Sequence, residues 1–165
     1  MQFVTTTGRI SAYRAYTLIA QFLTGSHTII GSGNLSGATV SITIPAAYRQ
    51  LIVQVTGWSQ DTNTARLLVR CGVAGAADAT AGNYVGNVIA GTTVTNFTTN
   101  ALASMTDAGS QTTGQVGSAT VVIDGYLAGP HKRFHSRVVA NGVEAKTFGT
   151  YIGSVSAINI IVIGS

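Results

Sequence analysis

Four side chains that can carry positive charge occupy alternate positions between residues 131 and 137. Alternate residues of an extended strand share one face, so these four would lie together within about 20 Å, with Phe134 and Val138 on the other face. Such a stripe could bind an acidic protein surface, a phosphate or an anionic glycan. The alternative is a solvated outer face whose charges keep the strand from pairing wrongly. The four residues, termed the basic stripe, are His131, Arg133, His135 and Arg137.

The sequence offers little for catalysis or for holding a metal or cofactor. His131 and His135 are too far apart on a strand to share a metal readily, and no cluster of Cys or Glu accompanies them. The five carboxylates occur singly, whereas glycosidases usually need two at a set separation. Neither a Gly-x-Ser-x-Gly elbow nor a dinucleotide-binding glycine pattern is present. We therefore expect a protein that is not an enzyme and that has no metal or cofactor.

The composition is poor in charge. Charged residues make up 8% of the 165 residues, against roughly 25% in an average soluble domain. Small neutral residues replace them, and these cost little desolvation or rotamer entropy when a neighbour covers them. Depletion of charge is also typical of interface cores. The composition thus favours a subunit of a homo-oligomer or larger assembly, and the alternative is a robust monomer with a neutral surface.

Several partners and locations are disfavoured by the same composition. The nine basic residues are thinly spread, unlike the dense Lys/Arg with interleaved aromatics of a nucleic-acid binder. No apolar run of about 18 residues could span a bilayer. The start lacks the pattern of a signal peptide. The single cysteine, Cys71, alternates with apolar residues and is expected in a core. We expect synthesis in the cytoplasm, with neither nucleic acid nor membrane as a partner.

Between Val40 and Cys71, apolar and polar residues alternate in three short runs. Alternation with a period of two is typical of half-buried antiparallel strands. Pro45 has no N–H for a ladder, so it should close the first strand. Trp58 is expected to plug the end of the core, and the alternative is that it stacks on a sugar. The residues predicted to point inward are Val40, Ile42, Ile44, Leu51, Val53, Val55, Leu67, Val69 and Cys71.

The rest of the chain adds further strands separated by turn signals. Asn141-Gly142 is typical of a two-residue hairpin turn. The final run, 155–165, has apolar residues on both faces, so we expect its strand to be central or covered by a partner. The pattern predicts an all-β, antiparallel, jelly-roll-like β-sandwich over residues 32–165. The predicted strands are 85–89, 92–98, 118–126, 129–140 and 143–150, and the predicted loops are 72–81 and 100–117.

Residues 1–31 form a different kind of segment, which we interpret as an N-terminal arm or attachment segment. Residues 10–24 could be a helix capped by Ser11 and ended by Gly25, but their Tyr, Thr and Ile content favours a strand. An arm of this kind would grip a neighbouring subunit. Its candidate contact residues are Arg9, Tyr13, Arg14 and Tyr16.

The string IPAAYRQLIVQVTGWSQDTNTARLLVRC, residues 44–71, resembles a β-sandwich module of bacteriophage virion proteins. Asn83-Tyr84 stands where the family has an Asn-Tyr pair, and VVIDGYLAGPHKRFHS is similar to its Ile-x-x-Tyr strand and the Lys-containing strand that follows. Arg70-Cys71-Gly72 departs from the Arg-Phe-Asn-Gly that is usual there. The resemblance covers roughly residues 33–165, and it implies a module of the virion surface without implying a particular ligand.

These observations predict a structural protein of a bacteriophage virion, made in the host cytoplasm. The first role considered is capsid decoration (cement), in which the arm and one sandwich face bind the major capsid protein and the basic stripe meets an acidic capsid face. Such proteins are usually homotrimers. The runner-up is a tail-fibre or head-fibre module whose loops, 59–65, 72–84 and 100–117, contact host glycan. A small carbohydrate-active enzyme is a third alternative.

Overall fold

The computed structural model describes the greater part of the chain. The residues it describes are 16–23, 26–34, 39–45, 50–59, 68–99, 101–104, 116–127, 129, 131–140 and 142–164. Within these ranges there are thirteen β-strands and no helix. They are β1 (Tyr16–Leu23), β2 (Ser26–Asn34), β3 (Thr39–Thr43), β4 (Gln50–Ser59), β5 (Leu68–Val73), β6 (Ala76–Ala77), β7 (Tyr84–Ala90), β8 (Thr93–Thr99), β9 (Ala103–Ser104), β10 (Val116–Asp124), β11 (Lys132–Ala140), β12 (Val143–Tyr151) and β13 (Ile160–Gly164).

The strands form two antiparallel sheets that pack against each other. The larger has eight strands in the order β2-β1-β4-β10-β11-β12-β7-β8. The smaller has the order β3-β13-β5-β6, and β9 also pairs with β5. Side chains from both sheets meet in one hydrophobic core. The predicted all-β antiparallel sandwich is therefore confirmed.

The alternation between Val40 and Cys71 places residues as predicted. Ile42 and Ile44 are buried while Thr39, Ser41 and Thr43 are exposed. β3 ends two residues before Pro45, as expected for a residue that cannot donate to a ladder. The other buried positions of this region are Leu51, Val53, Val55, Val69 and Cys71, and Leu67 lies outside the described residues.

Trp58 and the final strand also follow the predictions. Trp58 is completely buried in the core, so its ring is not available to stack on a sugar. β13 lies between β3 and β5, and Ile161 and Ile163 are both completely buried. Its apolar residues on both faces thus reflect a central position in the smaller sheet.

The prediction of a plain loop over residues 72–81 is wrong. β5 extends to Val73, and a tight turn at Ala74-Gly75 returns the chain into the two-residue strand β6. Both turn residues have positive φ, 56° and 78°. Gly72 allows the close approach, because an added Cβ would collide with the carbonyl of Ala76. Small residues here therefore permit a compact hairpin.

The predicted connection over residues 100–117 is wrong in part. β9 pairs with β5 at Leu68 and Val69, and β10 already begins at Val116. Sequence composition misses β9 because a two-residue strand has no periodicity to detect. Residues 105–115 lie outside the described residues.

The described part of the predicted arm is a hairpin at one side of the larger sheet. β1 pairs with β2 and with β4, so residues 16–23 form a strand, as their composition favours. β2 runs past residue 31 and comes close to β3, since an added Cβ at Gly33 would lie 3.1 Å from Val40. Residues 1–15, including Arg9, Tyr13 and Arg14, lie outside the described residues, and their binding role stays a prediction.

Candidate binding site on the outer face of the larger sheet

The basic stripe lies on the outer face of the larger sheet, as the alternation predicts. His131 immediately precedes β11, and all four stripe residues are exposed. The residues between them point into the sandwich: Lys132, Phe134, Ser136, Val138 and Ala140 are buried. The sequence thus correctly predicted which side chains of β11 share the outer face.

Neighbouring strands add residues to this face that one strand alone does not reveal. Three rows cross the sheet, because antiparallel partners lie side by side. Arg133 lies between Asp124 and Thr150, His135 between Val122 and Phe148, and Arg137 between Thr120 and Lys146. Beyond β12, β7 places Val85 next to Thr150 and Asn87 next to Phe148.

An ion-pair cluster reduces the charge of the stripe. The Arg137 guanidinium lies 2.8 Å from Glu144, and the Lys146 ammonium lies 3.1 Å from the other oxygen of that carboxylate. The hydrogen bond from Arg137, helped by that from Lys146, lowers the pKa of Glu144 to about 2. Arg137 is therefore engaged within the molecule, so the face attracts an acidic partner less than four unpaired cationic groups would.

His135 and Phe148 form an aromatic pair at the centre of the face. Their ring centroids are 6.5 Å apart with an interplanar angle of 27°. Phe148 is 50% exposed, unusual for so large an apolar side chain. Alternation within one strand does not reveal this pair, because it depends on the register between β11 and β12, which places His135 beside Phe148.

A shallow groove of about 520 Å³ lies beside Phe148. Its floor includes Gly86 and Gly149, which face each other across β7 and β12. Neither position has room for a side chain: an added Cβ at Gly149 would lie 2.7 Å from the Phe134 ring, and one at Gly86 would collide with the Phe148 carbonyl. The polar and aromatic residues around this Phe148 groove are Asn87, Asp124, Arg133, His135, Phe148 and Thr150.

Arg133 differs from Arg137 in having no fixed partner. It makes no hydrogen bond or ion pair with any residue that the structure describes. Asp124, its neighbour on β10, instead accepts a 2.6 Å hydrogen bond from the Gln50 amide. The Phe148 groove therefore has an exposed guanidinium and a half-exposed aromatic ring on the same surface.

A second polar cluster lies where β7 and β12 meet the loop after β6, and its contacts are internal. The Asp78 carboxylate accepts hydrogen bonds from the Thr80 amide (2.8 Å), the Asn83 side chain (2.7 Å) and the Tyr151 hydroxyl (2.8 Å). The Tyr84 hydroxyl lies 2.9 Å from the Cys71 carbonyl oxygen. The Tyr151 bond holds the loop to the larger sheet, and a bond from the Asp78 amide to the Cys71 carbonyl oxygen holds it to the smaller sheet.

Lys132 belongs to the same region and is completely buried. Its ammonium donates to the carbonyl oxygens of Gly129 and Ser154 and lies 6.0 Å from the centre of the Tyr151 ring. Burial lowers its pKa. Lys132 is the lysine of the Lys-containing strand in the resemblance to virion proteins, and its contacts connect the loop before β11 to the loop after β12.

The described carboxylates do not converge. Asp78, Asp124 and Glu144 each have separate partners, namely the β6 loop, Gln50 and the Arg137–Lys146 pair. No group of three or more His, Cys, Asp or Glu side chains in the described part of the chain is placed to hold a metal ion. The described part of the chain also includes no helix of the length and apolarity needed to cross a bilayer.

Comparisons of the chain with family models, with curated proteins and with solved structures found no match. The resemblance to bacteriophage virion modules thus rests on the short motifs quoted above and stays a prediction.

Proposed function

We propose that this protein is a non-catalytic structural subunit on the surface of a bacteriophage particle, where it binds the major capsid protein as a decoration (cement) protein. The motif resemblance and the low charge of the chain support this role. The separate structural partners of the three described carboxylates support the absence of a catalytic function.

The observation that carries the proposal is the unequal distribution of charge between the two outer faces. Eight charged residues lie in the described part of the chain, and five of them are on the outer face of the larger sheet. Of the other three, Asp78 and Lys132 take part in internal hydrogen bonds, and only Arg70 is on the smaller sheet. The five are Asp124, Arg133, Arg137, Glu144 and Lys146.

The outer face of the smaller sheet has short polar and apolar side chains that a partner can cover at little energetic cost. Thr39, Ser41 and Thr43 are exposed there, next to the half-buried Val162. Burying short hydroxyl side chains beside apolar ones requires little desolvation and immobilises few rotamers. A cement protein would dock through this face, where Arg70 is the single charged side chain among the described residues, with residues 1–15 reaching a neighbouring capsid subunit. The charged face of the larger sheet would then point away from the shell. In this arrangement the basic stripe does not meet the capsid, unlike the expectation from the sequence, because Glu144 already engages Arg137.

Capsid shells that lack the protein provide the test. Purified protein should bind them and raise their melting temperature, because each bound copy adds interface area that must be broken. Ser41→Glu, which puts a charge on the proposed docking face, should weaken attachment. Thr56→Glu adds the same charge to an exposed position of β4 in the larger sheet and should leave attachment unchanged. Absence of binding by the unmodified protein, or equal effects of the two variants, would contradict the proposal.

The second candidate is a receptor-binding module of a tail fibre or head fibre. The observation that favours it is the Phe148 groove, where a half-exposed aromatic ring lies beside an exposed Arg133. In this role the free protein should compete with phage particles for the host surface. Inhibition of adsorption by the free protein, together with no effect on shell melting, would favour the fibre role over cement.

A further inference from the structure

We propose that the Phe148 groove is a binding site for an acidic sugar, that is, a saccharide unit that carries one carboxylate. This site differs from the loops 59–65, 72–84 and 100–117, which the sequence predicts for glycan contact in a fibre module. It lies on the strands β7, β10, β11 and β12. Binding at this groove would use only this chain's own surface, whatever the position of the protein in a particle.

The dimensions of the groove suit one or two sugar rings. Neighbouring strands are about 4.8 Å apart and alternate residues of a strand about 6.8 Å apart. Four strands and two rows of residues therefore frame a surface of about 14 Å by 7 Å. One row contains Asp124, Arg133 and Thr150, and the other contains His135, Phe148 and Asn87.

Arg133 supplies the recognition of the carboxylate. A guanidinium can donate two parallel hydrogen bonds to a carboxylate, and this geometry makes it a better partner than a single ammonium. Arg137 cannot serve in the same way without leaving Glu144, from which it lies 2.8 Å. Arg133 has no competing partner among the described residues.

Phe148 supplies an apolar surface for the C–H face of a sugar ring. Phe148 is 50% exposed, and the His135 ring is stacked beside it with the ring centroids 6.5 Å apart. A ring that is already held in place loses little conformational entropy when a ligand packs on it. Its position one row from Arg133 lets a single sugar contact the aromatic ring and the guanidinium together.

The remaining polar groups of the groove distinguish a sugar acid from a simple anion. The amide of Asn87 and the hydroxyl of Thr150 can exchange hydrogen bonds with sugar hydroxyls. Asp124 can accept a bond from a sugar hydroxyl, and its negative charge disfavours a dianion bound to Arg133 more strongly than a monocarboxylate. A monocarboxylate with hydroxyl groups thus satisfies the site better than phosphate, which has more charge and no carbon-bound hydrogens to pack on Phe148.

The test is an NMR titration of the full chain with sodium glucuronate and sodium N-acetylneuraminate, with glucose, acetate and inorganic phosphate as comparison ligands. At least one sugar acid should shift the amide resonances of Arg133, Phe148 and Asn87 at millimolar concentration. Its affinity should exceed those of glucose, acetate and phosphate. Binding of acetate or phosphate as tight as that of both sugar acids would overturn the proposal, as would the absence of saturable shifts with both.

Three exposed-residue variants locate the site, and their melting curves check that each one is folded. Arg133→Gln should weaken binding of the sugar acid by about tenfold or more, because a charged hydrogen-bond donor is lost, and should leave glucose binding unchanged. Phe148→Ala should weaken binding of both. Lys146→Gln removes a cation from the same face but outside the groove, and should have little effect. Equal losses in Arg133→Gln and Lys146→Gln would show general charge attraction and overturn the site.

Discussion

The hydroxyl of Tyr151, at the end of β12, donates a 2.8 Å hydrogen bond to the carboxylate of Asp78 in the loop after β6. The Tyr151 ring lies 5.0 Å from that of Tyr84, whose hydroxyl lies within hydrogen-bond distance of the backbone of Cys71 in the smaller sheet. Positions far apart in the chain are thus joined at one end of the sandwich. Because the two sheets meet there through polar contacts, the stability of this end should depend on the charge of Asp78.

We expect Asp78 to stabilise the fold above its ordinary pKa of 3.8. Burial alone would raise this pKa, but hydrogen bonds from Thr80, Tyr151 and Asn83 outweigh burial and lower it. A carboxyl whose pKa is lower in the folded state loses its stabilising effect as pH falls through the folded pKa. Asp78→Asn should therefore be less stable than the unmodified protein at pH 7, and the difference should shrink below about pH 4. Urea unfolding at pH 7, 4 and 3 measures this.

Glu144→Gln is the matched control, because Glu144 also has a lowered pKa but lies on the surface. For Glu144→Gln, the pH-dependent difference in unfolding free energy from the unmodified protein should become smaller in about 0.5 M salt, because exposed ion pairs are screened. The corresponding difference for Asp78→Asn should persist in salt. A pH-independent difference between Asp78→Asn and the unmodified protein would contradict the assignment.

Lys132→Met should destabilise the protein by about 1–3 kcal/mol, because the carbonyl oxygens of Gly129 and Ser154 lose their donor. Lys146→Met, on the exposed face, should change stability by less than about 1 kcal/mol. Chemical unfolding of both variants provides the comparison. A loss no larger for Lys132→Met than for Lys146→Met would mean that the two carbonyls find water or that removing the buried charge offsets the lost bonds.

The strands and their faces could be predicted because period-two alternation is a local property. Leu51, Val53 and Val55 point inward because they alternate with outward-facing residues, as the sequence indicates. Ala140 pairs with Val143, which is the register expected for a two-residue turn between β11 and β12. The sheet order could not be predicted in this way. That β4 lies between β1 and β10 follows from pairing between distant segments, which leaves no periodic signal in either one.

The candidate site could be predicted only in part. The outward position of Arg133 and His135 follows from alternation within β11. The Phe148 groove needs Asn87 from β7 as well, and nothing local in the sequence places β7 beside β12. The pairing of Arg137 with Glu144 likewise depends on the cross-strand register, so the charge of the stripe appeared larger from sequence than it is in the fold.

Cys71 should be unreactive in the folded protein. It is completely buried, and burial raises the pKa of its thiol to about 12, so almost no thiolate forms at neutral pH. Labelling with a thiol-reactive dye should be negligible in buffer and should reach one equivalent in denaturant. Ser41→Cys adds a thiol at an exposed position and should take up one dye per chain without denaturant. Fast labelling of the unmodified folded protein would contradict the buried position.

If residues 1–15 serve only to bind the shell, removing them should leave the melting temperature nearly unchanged, because this truncation keeps every described strand. Removing residues 1–24 also deletes β1, which would expose the edge of β4 and leave β2 without its partner in the larger sheet. That variant should melt lower and aggregate, since an unprotected edge strand pairs readily with other chains. The shorter truncation therefore separates the role of residues 1–15 from that of the β1–β2 hairpin. If the protein still folds but no longer binds the shell, residues 1–15 contain the shell-binding contacts. If it melts as low as the longer truncation, the first fifteen residues contribute to the fold itself, and shell binding must be tested by single substitutions at Arg9 and Arg14 instead.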